Sequence, residues 1–538
     1  MPMWMSRLLD RLPGGRSGLL LAGAVQAWAL AGPDGSSYGS LQMLGMVFLC
    51  WHLLRDVRAH TPSGHKSTSA FWRGAITGWW FAWGWLVACF WWLFISMHDF
   101  GGMPAWMAVI AILALAGALS LYYAVACGLW VHMMRRGAGG SFWRGSLSFA
   151  GLWTLAELAR GQWFTGFPWG AVGYAHVDGL LSTYAPWVGV YGMGAVAAGL
   201  SMGLVGLALE RRQLNIQAQL PKALGLLVIM VGPSLWASWA GGWTSSTGEG
   251  QVRLLQGNIA QDEKFIPGRG IEVALQWYAQ QLQENTLPLV VAPETAIPLL
   301  PSRLPEGYWA QLVQRYAGSP DQLALVGIPL GSEQTGFSNA VVGLSASAAY
   351  RYDKHHLVPF GEFIPPLFQW FLQLMHIPLG SFERGALAQA SVPWQGQRLG
   401  PNICYEDLFG EELAKRFVAS PQEGPDTTPT VLVNVSNIAW FGNTIAIDQH
   451  LNISRLRSLE LERPMLRATN TGATAIIDHR GHVQSLLPRF TRGALDGTYE
   501  GRQGLTPYAW WAGHAGLKPL WWVCMGLVAW GWGLRRRG

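Results

Sequence analysis

The stretch Leu287–Glu294, LPLVVAPE, is a short and almost wholly apolar run that ends in a proline and a glutamate. Such a run is typical of a strand buried on both faces, because a strand with one solvated face alternates apolar and polar residues. Further strands are predicted at 252–256, 323–328, 338–344, 348–352, 398–403, 430–435, 474–478 and 483–485, with helices at 270–285, 308–317 and 448–462. This alternation predicts that residues 251–502 form an α/β domain with both sheet faces covered.

The sequence on either side of this domain has a different composition. Half of the 538 residues are hydrophobic and only 13% are charged, and of 31 tryptophans 20 lie in 1–243, 5 in 244–504 and 6 in 505–538. Tryptophan is enriched at membrane interfaces, and a helical span needs about 20 apolar residues. We therefore predict a polytopic membrane domain of about eight spans rather than one large soluble core, at 18–31, 40–54, 72–97, 104–134, 145–159, 187–209, 223–243 and 518–534.

Basic residues mark every second loop of this pattern. They precede the first span, lie between the second and third, follow the fourth and sixth, and end the chain: Arg7, Arg11, Arg16, Arg55, Arg58, Lys66, Arg73, Arg135, Arg136, Arg144, Arg211, Arg212, Lys222, Arg535, Arg536 and Arg537. The alternate loops 32–39, 98–103 and 160–186 hold one basic residue, Arg160. Because basic loops stay in the cytoplasm, both termini are predicted to be cytoplasmic.

This topology divides the chain into three parts. An N-terminal membrane domain of about seven helices covers 1–243, an exported domain covers 244–504, and a C-terminal membrane helix lies within 505–538. In a bacterial inner membrane the exported domain faces the periplasm. The net charge of +6 then reflects membrane topology and does not indicate nucleic-acid binding.

Three reactive side chains fall at the ends of predicted strands in the exported domain. Glu294, Lys354 and Cys404 each lie at or just beyond a strand end, and Cys404 is the one cysteine among residues 244–504. Ligands and catalytic groups gather at that edge of an α/β sheet. A thiol needs a base to become a nucleophile, and a lysine can stabilise the oxyanion of acyl transfer. The alternative is structural: a buried thiol and two solvated surface charges.

The sequences around these residues resemble a known family. APETAIP (292–298), YDKHHLVPFGEFIP (352–365) and NICYED (402–407) look like the three signatures of the nitrilase superfamily. QGNIAQDEKF (256–265), VNVSNIAWFGNT (433–444), RPMLRATNTG (463–472) and FTGFPWG (164–170) are similar to its membrane-bound branch, the apolipoprotein N-acyltransferases. The resemblance implies that the exported domain is an αββα sandwich.

The resemblance also implies a role for individual residues. Cys404 would be the nucleophile, Glu294 the general base and Lys354 the group that stabilises the transition state. Glu362, Tyr405 and Glu406 would support the site, and Phe265 and Trp440 would bind substrate. No metal ligands are expected. The sequence departs from the family pattern at Ala292 and Phe265, where tryptophan is common, and at Ile438, where an acid is common.

The activity implied by the resemblance is transfer of a fatty acyl chain from a membrane phospholipid to the α-amine of a diacylglyceryl-cysteine apolipoprotein, through a cysteine thioester. This is the last step of bacterial lipoprotein maturation, and it requires no cofactor. The expected partners are the phospholipid, the diacylated apolipoprotein and the bilayer, and the chain is expected to be a monomer. Two alternatives remain at this point: a membrane-tethered amidase or nitrilase acting on a small substrate, and a non-catalytic transporter or scaffold.

Overall fold

A computed structural model of the chain describes residues 15–58, 68–136, 142–210, 216–347, 349–365, 382–419 and 426–533. The chain divides into two compact units. The helical unit comprises Met1–Trp91, Trp106–Gly241 and Leu517–Gly538, and the sheet unit comprises Trp92–Ala105 and Gly242–Gly516. Several basic residues used for the predicted topology lie outside the described residues: Arg7, Arg11, Lys66, Arg211, Arg212, Arg535, Arg536 and Arg537.

The helical unit contains a helix at each of the eight predicted apolar segments. These are α1 (Arg16–Trp28), α2 (Gly39–Arg58), α3 (Thr68–Phe90), α4 (Ala105–Arg135), α5 (Phe142–Gln162), α6 (Ala185–Glu210), α7 (Ile216–Ala240) and α13 (Lys518–Trp532). Among the described residues, three helical segments are long and apolar enough to cross a membrane: Ala105–Arg135, Leu180–Leu209 and Gln217–Trp239. The number of crossings therefore stays a prediction.

Close packing of α1 against α3 depends on two glycines. A Cβ atom on Gly23 would lie 2.1 Å from the backbone oxygen of Phe81, and one on Gly84 would lie 2.3 Å from that of Leu20. Only glycine permits these backbones to approach so closely, which is how helices commonly associate within membranes. A larger residue at either position would force the two helices apart.

Two buried side chains near the end of α5 bind the loop that contains FTGFPWG and Val172. Arg160 donates from Nη1 to the backbone oxygens of Phe167 and Trp169, each at 2.7 Å. Glu157 Oε1 accepts a hydrogen bond of 2.9 Å from the backbone N–H of Val172. Both charged side chains thus satisfy backbone groups of one loop, which supports a structural role for them.

The described residues of the sheet unit form twelve strands in two six-stranded sheets, ordered β12-β1-β2-β3-β4-β5 and β11-β10-β9-β8-β7-β6. The strands are β1 (Thr244–Gln256), β2 (Leu289–Val291), β3 (Leu323–Ser332), β4 (Gly336–Leu344), β5 (Tyr350–Asp353), β6 (Val392–Trp394), β7 (Gln397–Ile403), β8 (Val431–Ser436), β9 (Met465–Thr469), β10 (Ala475–Ile477), β11 (Val483–Leu486) and β12 (Gly493–Gly504). The helices are α8 (Gly270–Gln283), α9 (Tyr308–Ala317), α10 (Gly410–Lys415), α11 (Ala446–Leu461) and α12 (Pro507–Ala515).

The two sheets pack face to face over an apolar core. On β2, Leu289 and Val291 point into this inner core with residues of the second sheet such as Val433. Val290, on the opposite face, packs in an outer core that includes Leu275 of α8 and Leu312 of α9. The alternation follows from the two-residue period of a strand. Both faces of this strand are therefore buried, as its continuous apolar run predicts.

Several elements were not predicted. Strands β6, β9 and β12 and helices α10 and α12 have no counterpart among the predicted elements, and β1 begins at Thr244 rather than at Val252. The long strand β12, GALDGTYEGRQG, is rich in glycine and polar residues. It forms because it pairs antiparallel with β1 along its whole length, from Thr244 opposite Gly504 to Gln256 opposite Gly493. This pairing joins segments far apart in the sequence, so no local pattern indicates it.

Candidate active site

Three strand ends bring the predicted reactive residues into one site. Glu294 follows β2, Lys354 follows β5 and Cys404 follows β7. Lys354 Nζ lies 3.3 Å from Glu294 Oε1 and 2.9 Å from Glu362 Oε1. The thiol of Cys404 interacts electrostatically with the charges of both Glu294 and Lys354. The structure therefore brings the carboxylate of Glu294 into contact with the ammonium of Lys354, with the thiol of Cys404 near both charges.

Two asparagines hold the carboxylate of Glu294 in place. Asn339 donates from Nδ2 to Glu294 Oε1 at 2.7 Å and to Glu362 Oε1 at 3.0 Å. The backbone N–H of Asn437 donates to Glu294 Oε2 at 2.8 Å. Each oxygen of Glu294 thus has a donor, and the side chain is almost fully buried. A carboxylate fixed this way is oriented before any substrate arrives.

Burial and the nearby charges favour a protonated thiol at Cys404 and a charged Lys354. Burial and the negative charge of Glu294 together raise the pKa of Cys404 to about 12, against the opposing charge of Lys354. Burial alone would lower the pKa of Lys354, but the negative charges of Glu294 and Glu362 outweigh it and hold that pKa above its ordinary value. The resting site therefore contains a neutral thiol that needs a base, beside a permanent ammonium.

The backbone at Cys404 is in an unusual conformation. Its φ is +52°, in the left-handed region, and it is the first residue of a short 3₁₀ turn, Cys404–Leu408. Residues other than glycine rarely adopt this conformation, and such strain is concentrated at functional sites. The sharp turn from β7 into the helical turn leaves the thiol at the strand end and only partly buried.

Glu406 links two loops of the site through its carboxylate. Its carboxylate accepts hydrogen bonds from the backbone N–H of Ile403 at 2.6 Å and of His355 at 2.7 Å. The hydroxyl of Tyr352 donates to the same carboxylate at 2.9 Å. These bonds tie the loop that carries Lys354 to the turn that carries Cys404. Burial raises the pKa of Glu406, and the hydrogen bond from Ile403 opposes that rise.

The other predicted residues take different positions. Glu362 joins the ion-paired cluster around Lys354, and the Tyr405 ring is buried, 5.3 Å from the Phe409 ring centroid. Phe265 is half exposed. Trp440 is partly buried, with its ring centroid 5.9 Å from that of Phe100. The remaining departures from the family pattern, Ala292 and Ile438, are buried positions.

A second lysine belongs to the site and was not predicted as a site residue. Lys264 is only 1% exposed, and its Nζ donates to the backbone oxygen of Glu294 at 3.2 Å. Burial lowers the pKa of Lys264 to about 8, against the opposing charges of Glu294 and Cys404. The stretches QGNIAQDEKF and VNVSNIAWFGNT contain Lys264 and Asn437, so the sequence signal was present but was assigned only to Phe265 and Trp440.

Among the described residues, no group of three or more histidine, cysteine or acidic side chains is arranged to hold a metal.

Comparison with known proteins places this chain in a family. A family model described as "Apolipoprotein N-acyltransferase N-terminal domain" matches residues 22–203, and one described as "Carbon-nitrogen hydrolase" matches residues 252–500. The chain is 51% identical to an apolipoprotein N-acyltransferase of Verminephrobacter eiseniae, covering 93% of this chain and 92% of that protein. It is 46% identical to that of Ralstonia nicotianae, covering 81% and 80%, and 33% identical to that of Pseudomonas aeruginosa, covering 96% of each. The chain, with its carbon-nitrogen hydrolase domain and its convergent Glu294, Lys354 and Cys404, therefore belongs to the apolipoprotein N-acyltransferase family.

Proposed function

We propose that this chain transfers a fatty acyl chain from a membrane phospholipid to the N-terminal amine of a diacylglyceryl-cysteine apolipoprotein. Membership of the family along nearly the whole chain supports the reaction class. The observation that carries the proposed mechanism is the contact of 3.3 Å between Lys354 Nζ and Glu294 Oε1, at strand ends of one sheet, near the thiol of Cys404 at a strand end of the other sheet. These residues form a complete set for covalent acyl transfer.

The first half of the reaction forms a thioester. Cys404 Sγ attacks the ester carbonyl carbon while Glu294 takes the thiol proton, and the carbonyl oxygen becomes an oxyanion. The ammonium of Lys354 and the backbone N–H of Tyr405 stabilise that oxyanion. When it collapses, the ester C–O bond breaks, and Glu294 gives its proton to the departing glyceryl oxygen. A lysophospholipid leaves, and the acyl chain stays on sulfur.

The second half transfers the acyl chain to nitrogen. The free amine of the lipoprotein attacks the thioester carbonyl, and Glu294 accepts a proton from the attacking nitrogen. The C–S bond then breaks, and the sulfur takes the proton back as the amide forms. The complete reaction needs no oxidant, reductant or cofactor, and Cys404 returns to its thiol form. The attacking nitrogen must be an unprotonated amine with an available lone pair. An acetylated N-terminus cannot act as acceptor, because the amide carbonyl withdraws that lone pair.

Both substrates are lipids, which accounts for the membrane-bound setting. We propose eight spans, with both termini in the cytoplasm and residues 244–504 in the periplasm, within domain boundaries of 1–243, 244–504 and 505–538. The half-exposed Phe265 and the partly buried Trp440 are proposed to contact acyl chains. We propose that the monomer carries the complete site, because Glu294, Lys354 and Glu362 converge within one chain.

The test is intact-mass analysis of the purified full chain in two stages. Phospholipid without acceptor should add one fatty-acyl mass, labile to hydroxylamine, on the peptide that contains Cys404. A diacylated lipopeptide with a free amine should then discharge it, and the same lipopeptide with an acetylated N-terminus should not. Discharge by water or by small amines alone would instead favour a membrane-tethered amidase.

A further inference from the structure

His450 of α11 contacts the backbone of the proposed nucleophile from the interior of the sheet unit. Its Nε2 lies 3.3 Å from the backbone oxygen of Cys404, and Asn434 Nδ2 lies 3.5 Å from the same oxygen. His450 is 1% exposed and Asn434 is fully buried. The mechanism described above uses neither side chain, so this buried contact needs its own explanation.

The arrangement around His450 specifies which ring nitrogen carries the proton. Arg467 Nη2 lies 2.6 Å from His450 Nδ1, and a guanidinium only donates hydrogen bonds. His450 Nδ1 must therefore accept, which leaves the proton on Nε2, where it donates to the oxygen of Cys404. Burial, followed by the charge of Arg467, holds the pKa of His450 well below its ordinary value, in agreement with a neutral ring.

Arg467 is itself fixed by a fully buried polar network. Its Nη1 donates to Ser454 Oγ at 2.6 Å and to Asn434 Oδ1 at 3.2 Å, and it lies 3.6 Å from Asp407 Oδ2. Its Nε donates to the backbone oxygen of Ala473 at 3.0 Å. A guanidinium held by this many partners cannot turn away from the imidazole without losing several hydrogen bonds.

The carbonyl of Cys404 and the N–H of Tyr405 belong to one planar trans peptide, in which they point in opposite directions. Resting on the proposed role of Cys404, we propose that His450, oriented by Arg467, is a positioning residue that aims the N–H of Tyr405 at the oxyanion. The strained φ of +52° at Cys404 makes such a restraint necessary, because the peptide would otherwise turn toward a commoner conformation.

Two substitutions separate this role from simple packing. In His450→Gln, the amide nitrogen reaches the place of Nε2 and still donates to Cys404, but Arg467 loses its acceptor. In His450→Asn, the shorter side chain keeps an oxygen near Arg467 and cannot reach the carbonyl of Cys404. Stability should therefore fall more in His450→Gln, whereas acylation should fall more in His450→Asn.

The experiment measures two reactions of Cys404 in the full chain with phospholipid vesicles. Single-turnover thioester formation needs the oxyanion donor, whereas alkylation by iodoacetamide creates no oxyanion. We expect His450→Asn to slow thioester formation by at least about tenfold and to leave the alkylation rate unchanged. The upper limit is the ~10²–10³-fold slowing that follows complete loss of an oxyanion donor. His450→Gln should retain most of the thioester rate despite a lower melting temperature.

Three results would overturn the proposal: thioester formation unchanged in His450→Asn, alkylation reduced in parallel with it, or no rescue by His450→Gln. If the variants do not fold, ¹⁵N-histidine labelling of the unaltered protein decides instead, because a charged or Nδ1-protonated His450 contradicts the proposed donor. Cys404→Ala is the control for the mechanism itself. Transfer by that variant would refute the thioester, whereas a normal rate in His450→Asn would refute only the positioning role.

Discussion

Replacing Glu294 with glutamine removes the proposed base while nearly keeping its shape. The carboxylate accepts hydrogen bonds from Asn339 at 2.7 Å and Lys354 at 3.3 Å on Oε1, and from the N–H of Asn437 at 2.8 Å on Oε2. A glutamine amide has one accepting oxygen and one NH₂ group. We expect the oxygen to face Lys354, because the ammonium repels the NH₂ group, so the N–H of Asn437 then meets a donor.

The structure allows the two consequences of Glu294→Gln to be compared. One unsatisfied buried donor should lower the free energy of unfolding by about 1–3 kcal/mol. Loss of general-base help should slow thioester formation by about 10²–10⁴-fold, which is roughly 2.7–5.4 kcal/mol of activation free energy. Because the stability cost is smaller than the ~5–15 kcal/mol of a typical folded protein, the variant should stay folded while the chemistry fails.

The assay is single-turnover acylation followed by intact mass, normalised to the folded fraction from a melting curve. Glu306→Gln is the matched control, since it makes the same change in the exposed turn before α9 and should alter neither quantity. Glu294→Asp keeps a carboxylate on a shorter side chain, and its thioester rate should lie between those of Glu294→Gln and the unaltered protein. A thioester rate in folded Glu294→Gln within about tenfold of the unaltered protein would refute the assignment of Glu294 as the base.

Three further predictions follow from the site and the topology. Lys354→Met removes the oxyanion's counter-charge and leaves Glu294 and Glu362 without their shared cation, so thioester formation should fall by at least about 10²-fold; near-normal turnover would contradict this role. Because the pKa of Cys404 is raised to about 12, its iodoacetamide alkylation should rise about tenfold per pH unit between roughly pH 7 and 10, and a plateau below pH 9 would argue against a neutral resting thiol. A periplasm-dependent reporter should be active when fused after Gly250 and inactive after Arg537, and the reverse pattern at either point would contradict the eight-span topology.

The local features of the sequence were sufficient to predict the main elements. Each of the eight apolar segments overlaps a helix, although α3 ends at Phe90, before the predicted end of the third segment at 97. The run LPLVVAPE contains a strand buried on both faces, with Val290 on one face and Val291 on the other. These predictions succeed because the period of a helix or strand determines which nearby residues are buried together, so the pattern of apolar residues in a short stretch indicates the element. The three reactive residues were recognised for a related reason, because each is a polar side chain at or just beyond the end of a predicted strand.

Only the tertiary structure decided how the site is held. The strand β12 depends on β1, and Glu406 points inward to brace two loops. Lys264 lies in a stretch that resembles the family, but its burial against the backbone of Glu294 depends on a residue 30 positions away. The contact of His450 with Cys404 joins residues that lie 46 positions apart, so no local period describes it. Composition and periodicity therefore determined the elements and the reactive groups, whereas long-range pairing and desolvation decided which atoms they meet and which protonation states they hold.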